Sequence, residues 1–145
     1  MPDPLANTMF QWTKDYAVGV QQIDREHQRL FALAESLHQA MLAGQGKAIL
    51  QDLLASLVDY TCYHFAHEEQ LMRRIAYPDY SQHRELHENL RSRARAMQDR
   101  AASGEITITI EVMQFLMEWL KSHTTTSDRG IAGYMKKSGR SAVGA

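Results

Sequence analysis

Residues 60–72, YTCYHFAHEEQLM, constrain the fold more than any other stretch of this chain. On a helix, His64 and Glu68 are four residues apart and project from one face about one turn from each other. That face is otherwise apolar, because Leu50, Leu53, Leu54, Leu57, Val58, Phe65, Leu71, Met72 and Ile75 recur at the three-and-four spacing of a buried stripe. An imidazole and a carboxylate in the middle of such a stripe are costly unless each finds a partner. Metal coordination satisfies both at once, so the stretch calls for a fold that brings further donors to the same place.

Three more amphipathic segments supply them. A first helix is predicted over residues 21–43, ending at Gly44, with the stripe Ile23, His27, Leu30, Phe31, Ala34, Leu37, Met41. The second spans 47–75 and is stopped by Tyr77-Pro78-Asp79, since proline cannot continue a helix and restricts the residue before it. A third, over 79–102, carries a weaker stripe of Tyr80, His83, His87, Leu90, Ala94, Met97 and Ala101. The β-branched run ITITI at 106–110 favours a strand locally, but a lone strand has no partner, so it leads into a fourth helix with the stripe Val112, Met113, Leu116, Trp119, Leu120, His123. Residues 1–20 read as an extended arm packing Phe10, Trp12 and Tyr16 on the body, and the small, basic stretch from Lys136 reads as a mobile tail. Short connections between four such helices predict an all-α domain over residues 1–145, an antiparallel up-down-up-down four-helix bundle with an extended N-terminal arm.

Size and charge exclude other classes. A chain of 145 residues builds one core without staples. A formal net charge of −1 argues against nucleic acid or an anionic membrane surface as partner. No run of 18 apolar residues offers a transmembrane helix, and the start lacks a basic region followed by an apolar one. Cys62 is the single cysteine, which precludes an intramolecular disulfide and suits a reducing compartment. The expectation is a cytoplasmic protein, monomeric rather than oligomeric.

Each helix thus points at least one histidine inward: His27, His64, His83 with His87, and His123. Asp128 follows His123 by five residues, about 140° round a regular helix, so joining the same site requires a local widening such as a π-type bulge. A lone histidine on an apolar face is ordinarily a core residue bonded to a carbonyl. That explanation fails for five histidines and two carboxylates on four helices, which would each need a separate buried partner. Seven donors exceed what one ion takes, so two ions with bridging carboxylates is the natural count. If Glu68 and Asp128 each bridge two six-coordinate irons, they fill four of twelve positions, the histidines five and one bridging oxide or hydroxide two, leaving one open for a small exogenous ligand. The remaining candidates read as structural: His38 lies roughly 16 Å along the helix from His27, His67 is peripheral, Arg91, Arg93 and Arg95 form a solvated face, and Cys62 and the methionines fill the core.

These residues resemble the hemerythrin family, specifically its single-domain bacterial members, over nearly the whole chain. The segments that carry the likeness are GVQQIDREHQRLF (19–31), HFAHEEQLM (64–72), YPDYSQHRELH (77–87) and WLKSHTTTSD (119–128). The resemblance implies a non-heme di-iron site. His83, His87 and His123 would hold one iron, His27 and His64 the other, with Glu68 and Asp128 bridging both. It implies reversible dioxygen binding for storage, delivery or scavenging, in a pocket walled by Leu30, Phe65, Trp119 and Leu120. Where the family usually has isoleucine this chain has Thr124, whose hydroxyl is expected to hasten autoxidation. Neutral imidazoles dominate the donor set, and it lacks the paired Glu-x-x-His motifs of ferritin-like sites, which favours binding over turnover. The rival readings are an oxygen or redox sensor acting through a separate protein partner and an enzyme reducing peroxide or nitric oxide. A structural zinc site would use four ligands, not seven.

Overall fold

A computed structural model describes residues 9–104 and 110–139. Four long helices run α1 (Gln21–Leu42), α2 (Lys47–Arg74), α3 (Tyr80–Ala102) and α4 (Ile110–Ser122). A five-residue π-helical segment, His123–Ser127, then joins α4 to α5 (Asp128–Ser138). The expected boundaries hold to within a residue at each described helix end. Residues 106–109 of ITITI lie outside the described residues, as do 1–8 and 140–145; Ile110 opens α4. Lys136 and Lys137, read as the start of the tail, instead belong to the last turn of α5. There they complement the negative end of the helix dipole.

The helix ends follow local chemistry. At the end of α1, Gly44 adopts φ 69°, and the Gln45 N–H reaches back to the Ala40 carbonyl at 3.0 Å. The end of α2 closes the same way, with Tyr77 N–H to Met72 O at 2.9 Å, but the left-handed position is occupied by Ala76 at φ 54°. The turn is therefore complete before Pro78. The N-terminal arm is held by two carboxylates of α1: Glu35 Oε1 accepts from the N–H groups of Met9 and Phe10 at 3.0 and 2.8 Å, and Asp24 from Val18 at 2.8 Å. Phe10 is buried, and the Tyr16 ring lies 5.0 Å from Phe31.

α1 packs on α2 and α4, and α2 on α3. The interior has two apolar ends with a polar layer between them. The larger end holds Leu30, Phe31, Ala34, Leu37, Leu54, Leu57, Phe65, Leu90, Met113 and Leu120; the smaller holds Val20, Ile23, Leu71, Met72, Ile75, Ile131 and Met135. On each helical strand of the bundle the histidines and acids fall where one cluster stops and the other begins. Among the described residues no helix is long and apolar enough to cross a membrane.

Candidate metal centre

All seven predicted donors meet in that polar layer. His27, His64, Glu68, His83, His87, His123 and Asp128 are each at most 6% exposed. Asp128 arrives there through the π segment, in which its N–H bonds the His123 carbonyl five residues back. The wider turn brings His123 and Asp128 round to one side, with His123 Nε2 3.1 Å from Asp128 Oδ1. α5 packs closely here: a Cβ on Gly130 would lie 2.7 Å from Tyr77 Oη, so a larger residue would have to displace that ring.

The donors form two groups that share the carboxylates. In one, Glu68 Oε1 lies 3.1 Å from both His83 Nε2 and His87 Nε2 and 3.4 Å from His123 Nε2. In the other, Glu68 Oε2 is 2.7 Å from His64 Nε2 and 3.6 Å from His27 Nε2, while Asp128 Oδ2 is 2.7 Å from His27 Nε2. Each carboxylate thus sends one oxygen to each group. The donor atoms of each group lie within 4.8 Å of one another.

Two of these approaches are hydrogen bonds, His83 Nε2 to Glu68 Oε1 at 3.1 Å and His87 Nε2 with His123 Nε2 at 3.3 Å, but most are not. His27 Nε2, His64 Nε2, Glu68 Oε2 and both Asp128 oxygens have no hydrogen-bond partner, despite separations as short as 2.7 Å. Buried polar atoms that crowd together without bonding one another are arranged around a common acceptor of their lone pairs, as metal ligands are. Without an ion, protons supply the positive charge. Burial alone would lower the histidines, but the Glu68 charge and the Glu26 hydrogen bond raise His64 to about 9, and Asp128 raises His123 to about 10. Burial and the Glu68 charge push Asp128 up, yet His123 and His27 together bring it down to about 2.

Two supporting chains stand outside the donors. His64 Nδ1 donates to Glu26 Oε1 at 2.7 Å, and Glu26 Oε2 accepts from His67 Nδ1 at 2.6 Å. His87 Nδ1 donates to Glu69 Oε2 at 2.9 Å, which also accepts from Arg91 Nη2 at 2.6 Å. A carboxylate on Nδ1 fixes the tautomer, so that Nε2 presents its lone pair inward. Burial opposes both carboxylates, but their partners hold Glu26 and Glu69 below the usual range. Arg91 is therefore part of the centre's support and not of a solvated face. Its position one turn beyond His87 was the readable sign. Glu26 and Glu69 were missed; each directly precedes or follows a donor on its helix and reaches a histidine of the neighbouring helix.

The residues expected to wall a ligand pocket lie in the larger apolar end or at its boundary. Leu30, Phe65 and Leu120 are at most 1% exposed and Trp119 7%. Phe65 stacks on His87 at 3.9 Å and meets Trp119 edge-on at 5.5 Å. Thr124 is buried in the π segment.

Comparison with known proteins agrees with this arrangement. The hemerythrin HHE cation binding domain family matches residues 18–134. Bacteriohemerythrin of Stenotrophomonas maltophilia is 33% identical over 125 residues, covering 86% of this chain and 80% of its own. Bacteriohemerythrin of Pseudomonas aeruginosa is 32% identical over 127 residues, covering 88% and 82%. The crystal structure of wild-type hemerythrin superposes with a TM-score of 0.81 at 25% identity, over 86% of this chain and 96% of that one. With the donors, the bundle and the family match in agreement, the chain belongs to the hemerythrin family.

Proposed function

We propose that this protein binds dioxygen reversibly at a non-heme di-iron centre, for storage, delivery or scavenging. His83, His87 and His123 would hold one iron, His27 and His64 the other, and Glu68 and Asp128, which face both groups, would be shared between them with an oxide or hydroxide completing the set. The observation that carries the reading is the set of buried donor atoms, five of them without a hydrogen-bond partner, whose two carboxylates each face both histidine groups. Bound iron supplies the electrons and the open coordination position that capture the gas.

The chain's own residues favour carriage over turnover. Five neutral imidazoles and two carboxylates donate less charge than a carboxylate-rich set, so cleavage of the O–O bond is poorly supported. Leu30, Phe65, Trp119 and Leu120 keep water and protons from the ligand. The relatives named bacteriohemerythrin belong with this reading. Anaerobic titration with ferrous iron should saturate at two ions per chain, and air should then raise a peroxide-to-iron charge-transfer band that argon removes. Fewer than two ions, or a band that does not reverse, rejects the proposal; steady turnover with an electron donor would favour an enzyme. Thr124→Ile should slow decay of the oxy band several-fold if the buried hydroxyl promotes autoxidation by recruiting water or donating to the bound ligand. Equal decay in both proteins would remove that role.

A further inference from the structure

Beside the two-histidine group, α1 and α2 enclose a cavity of about 50 Å³, large enough for a few water molecules. Its polar lining is Gln22 and Glu26 from α1 and His67, Glu68, Gln70 and Arg74 from α2. Glu68 forms the inner end: its side chain is fully buried, and Oε2, the oxygen turned toward His64 and His27, has no hydrogen-bond partner. Glu26 and His67 stand next to it, joined at 2.6 Å, with the His67 side chain 31% exposed. Nδ1 of His67 is taken by Glu26, so Nε2 is the ring nitrogen left to meet a cation. Two carboxylates face one guanidinium, Arg74, which has an interaction of its own. The lining thus gathers in one place the carboxylate, imidazole and amide donors that a cation needs.

A second opening, of about 210 Å³, lies between α3 and α4. Leu86, Leu90, Phe115 and Trp119 line it beside Ser122 and Ser127, Arg93 stacks on Phe115 at 4.6 Å, Glu118 supplies its one carboxylate, and it meets the centre at His123. A ferrous ion entering there would meet the Arg93 guanidinium opposite a single carboxylate, with two hydroxyls as its other outer donors. Between α1 and α2, each lost water is replaced by an amide oxygen, a carboxylate or an imidazole.

We propose that the α1–α2 cavity is the iron-loading port, in which ferrous iron is first held by Glu26 and His67 and then passed to Glu68 by ligand exchange. The inference rests on the di-iron reading, and its test reads uptake without oxygen. The apoprotein is mixed anaerobically with ferrous iron, and the unbound metal is followed with a colorimetric ferrous chelator. Gln70, at the exposed rim, is changed in both directions. Gln70→Glu should speed uptake and Gln70→Lys slow it, together spanning about tenfold at low ionic strength and less in high salt, with two ions bound at the end in each case. Glu118→Lys at the other opening should leave the rate unchanged. Equal rates for the two Gln70 variants, a rate that follows Glu118→Lys instead, or an apoprotein without helical circular dichroism before iron is added would each overturn the port. Fewer than two ions in the unaltered chain would reject the di-iron reading itself.

Discussion

The two halves of the centre are built to different standards. On the three-histidine side, His87 is clamped on two fronts: its face stacks on Phe65, and its outer nitrogen is bonded to Glu69, which is in turn paired to Arg91. That guanidinium is half-buried and reaches both Glu69 and Glu88. On the two-histidine side, His64 leans on Glu26, whose other oxygen meets His67 beside the α1–α2 cavity. Its final support is a partly exposed ring on the rim and not a fixed cation. The difference separates a full and rigid half from a sparse and accessible one, which is the division of labour expected where one ion anchors and the other exchanges ligands.

The largest test breaks both halves together. Glu68→Ala removes one oxygen from each donor group, so iron content should fall from two ions per chain to one or none by metal analysis. His87→Ala should instead spare the two-histidine half and leave about one ion. Identical loss in the two variants would show that the halves are not separable. A smaller effect should distinguish the supports. Removing an outer partner of a ligand typically weakens metal binding by about 10–100-fold. Arg91→Ala strands Glu69 without its cation and should lie near the upper end; His67→Ala leaves Glu26 bonded to His64 and should lie near the lower. Competition with a ferrous chelator measures both, and equal losses would erase the asymmetry.

Acidity probes the charge the halves share. In the apoprotein, His64 and His123 are raised from 6.5 to about 9 and about 10. Their contribution to stability is fully present below pH 6.5 and is lost as pH climbs through those values. Glu68 and Asp128 are held below 4.5 and 3.8, so their contribution is present above those values and is lost on acidification. The apoprotein's thermal midpoint should therefore peak between about pH 5 and 6.5 and fall toward pH 10. On the di-iron reading iron should reverse the upper arm, because a metal binds only deprotonated imidazoles and competes with protons. An iron-loaded midpoint that tracks the apoprotein's across this range would mean the cluster does not hold metal.

Much of this was legible in the chain because two periodicities coincide. The apolar spacing of α1, α2 and α4 marks the inward face, and the histidines interrupt it at one level, so helices and donors are read from the same pattern. Asp128 was legible only by contradiction: five residues from His123 it has no place on a regular helix, and the π segment resolves the conflict. The outer carboxylates were not legible, because Glu26 and Glu69 occupy helix flanks where an acid is ordinarily solvated. Only the rotation of α1 against α2, and of α2 against α3, decides that each meets a neighbour's histidine. The two openings likewise depend on how helices splay, which no spacing encodes.

The smallest effect supplies the reference for all the others. Ala76 holds the left-handed position that ends α2 at φ 54°, is exposed, and lies outside both donor groups. A Cβ there costs about 1–2 kcal/mol, against about 0.5–1 kcal/mol for the extra unfolded-state freedom of glycine. Ala76→Gly should thus stabilise the fold by about 0.5–1 kcal/mol, raising the thermal midpoint by roughly 2 °C for a chain of this size. Because the change acts on the backbone of one turn, the gain should be the same with and without iron, and chelator competition should return unchanged affinities for both halves. A gain confined to the iron-loaded protein would mean that the α2 terminus is coupled to the centre through Met72 and the smaller apolar end. The differences between Arg91→Ala and His67→Ala would then have to be read against that coupling and not as local effects.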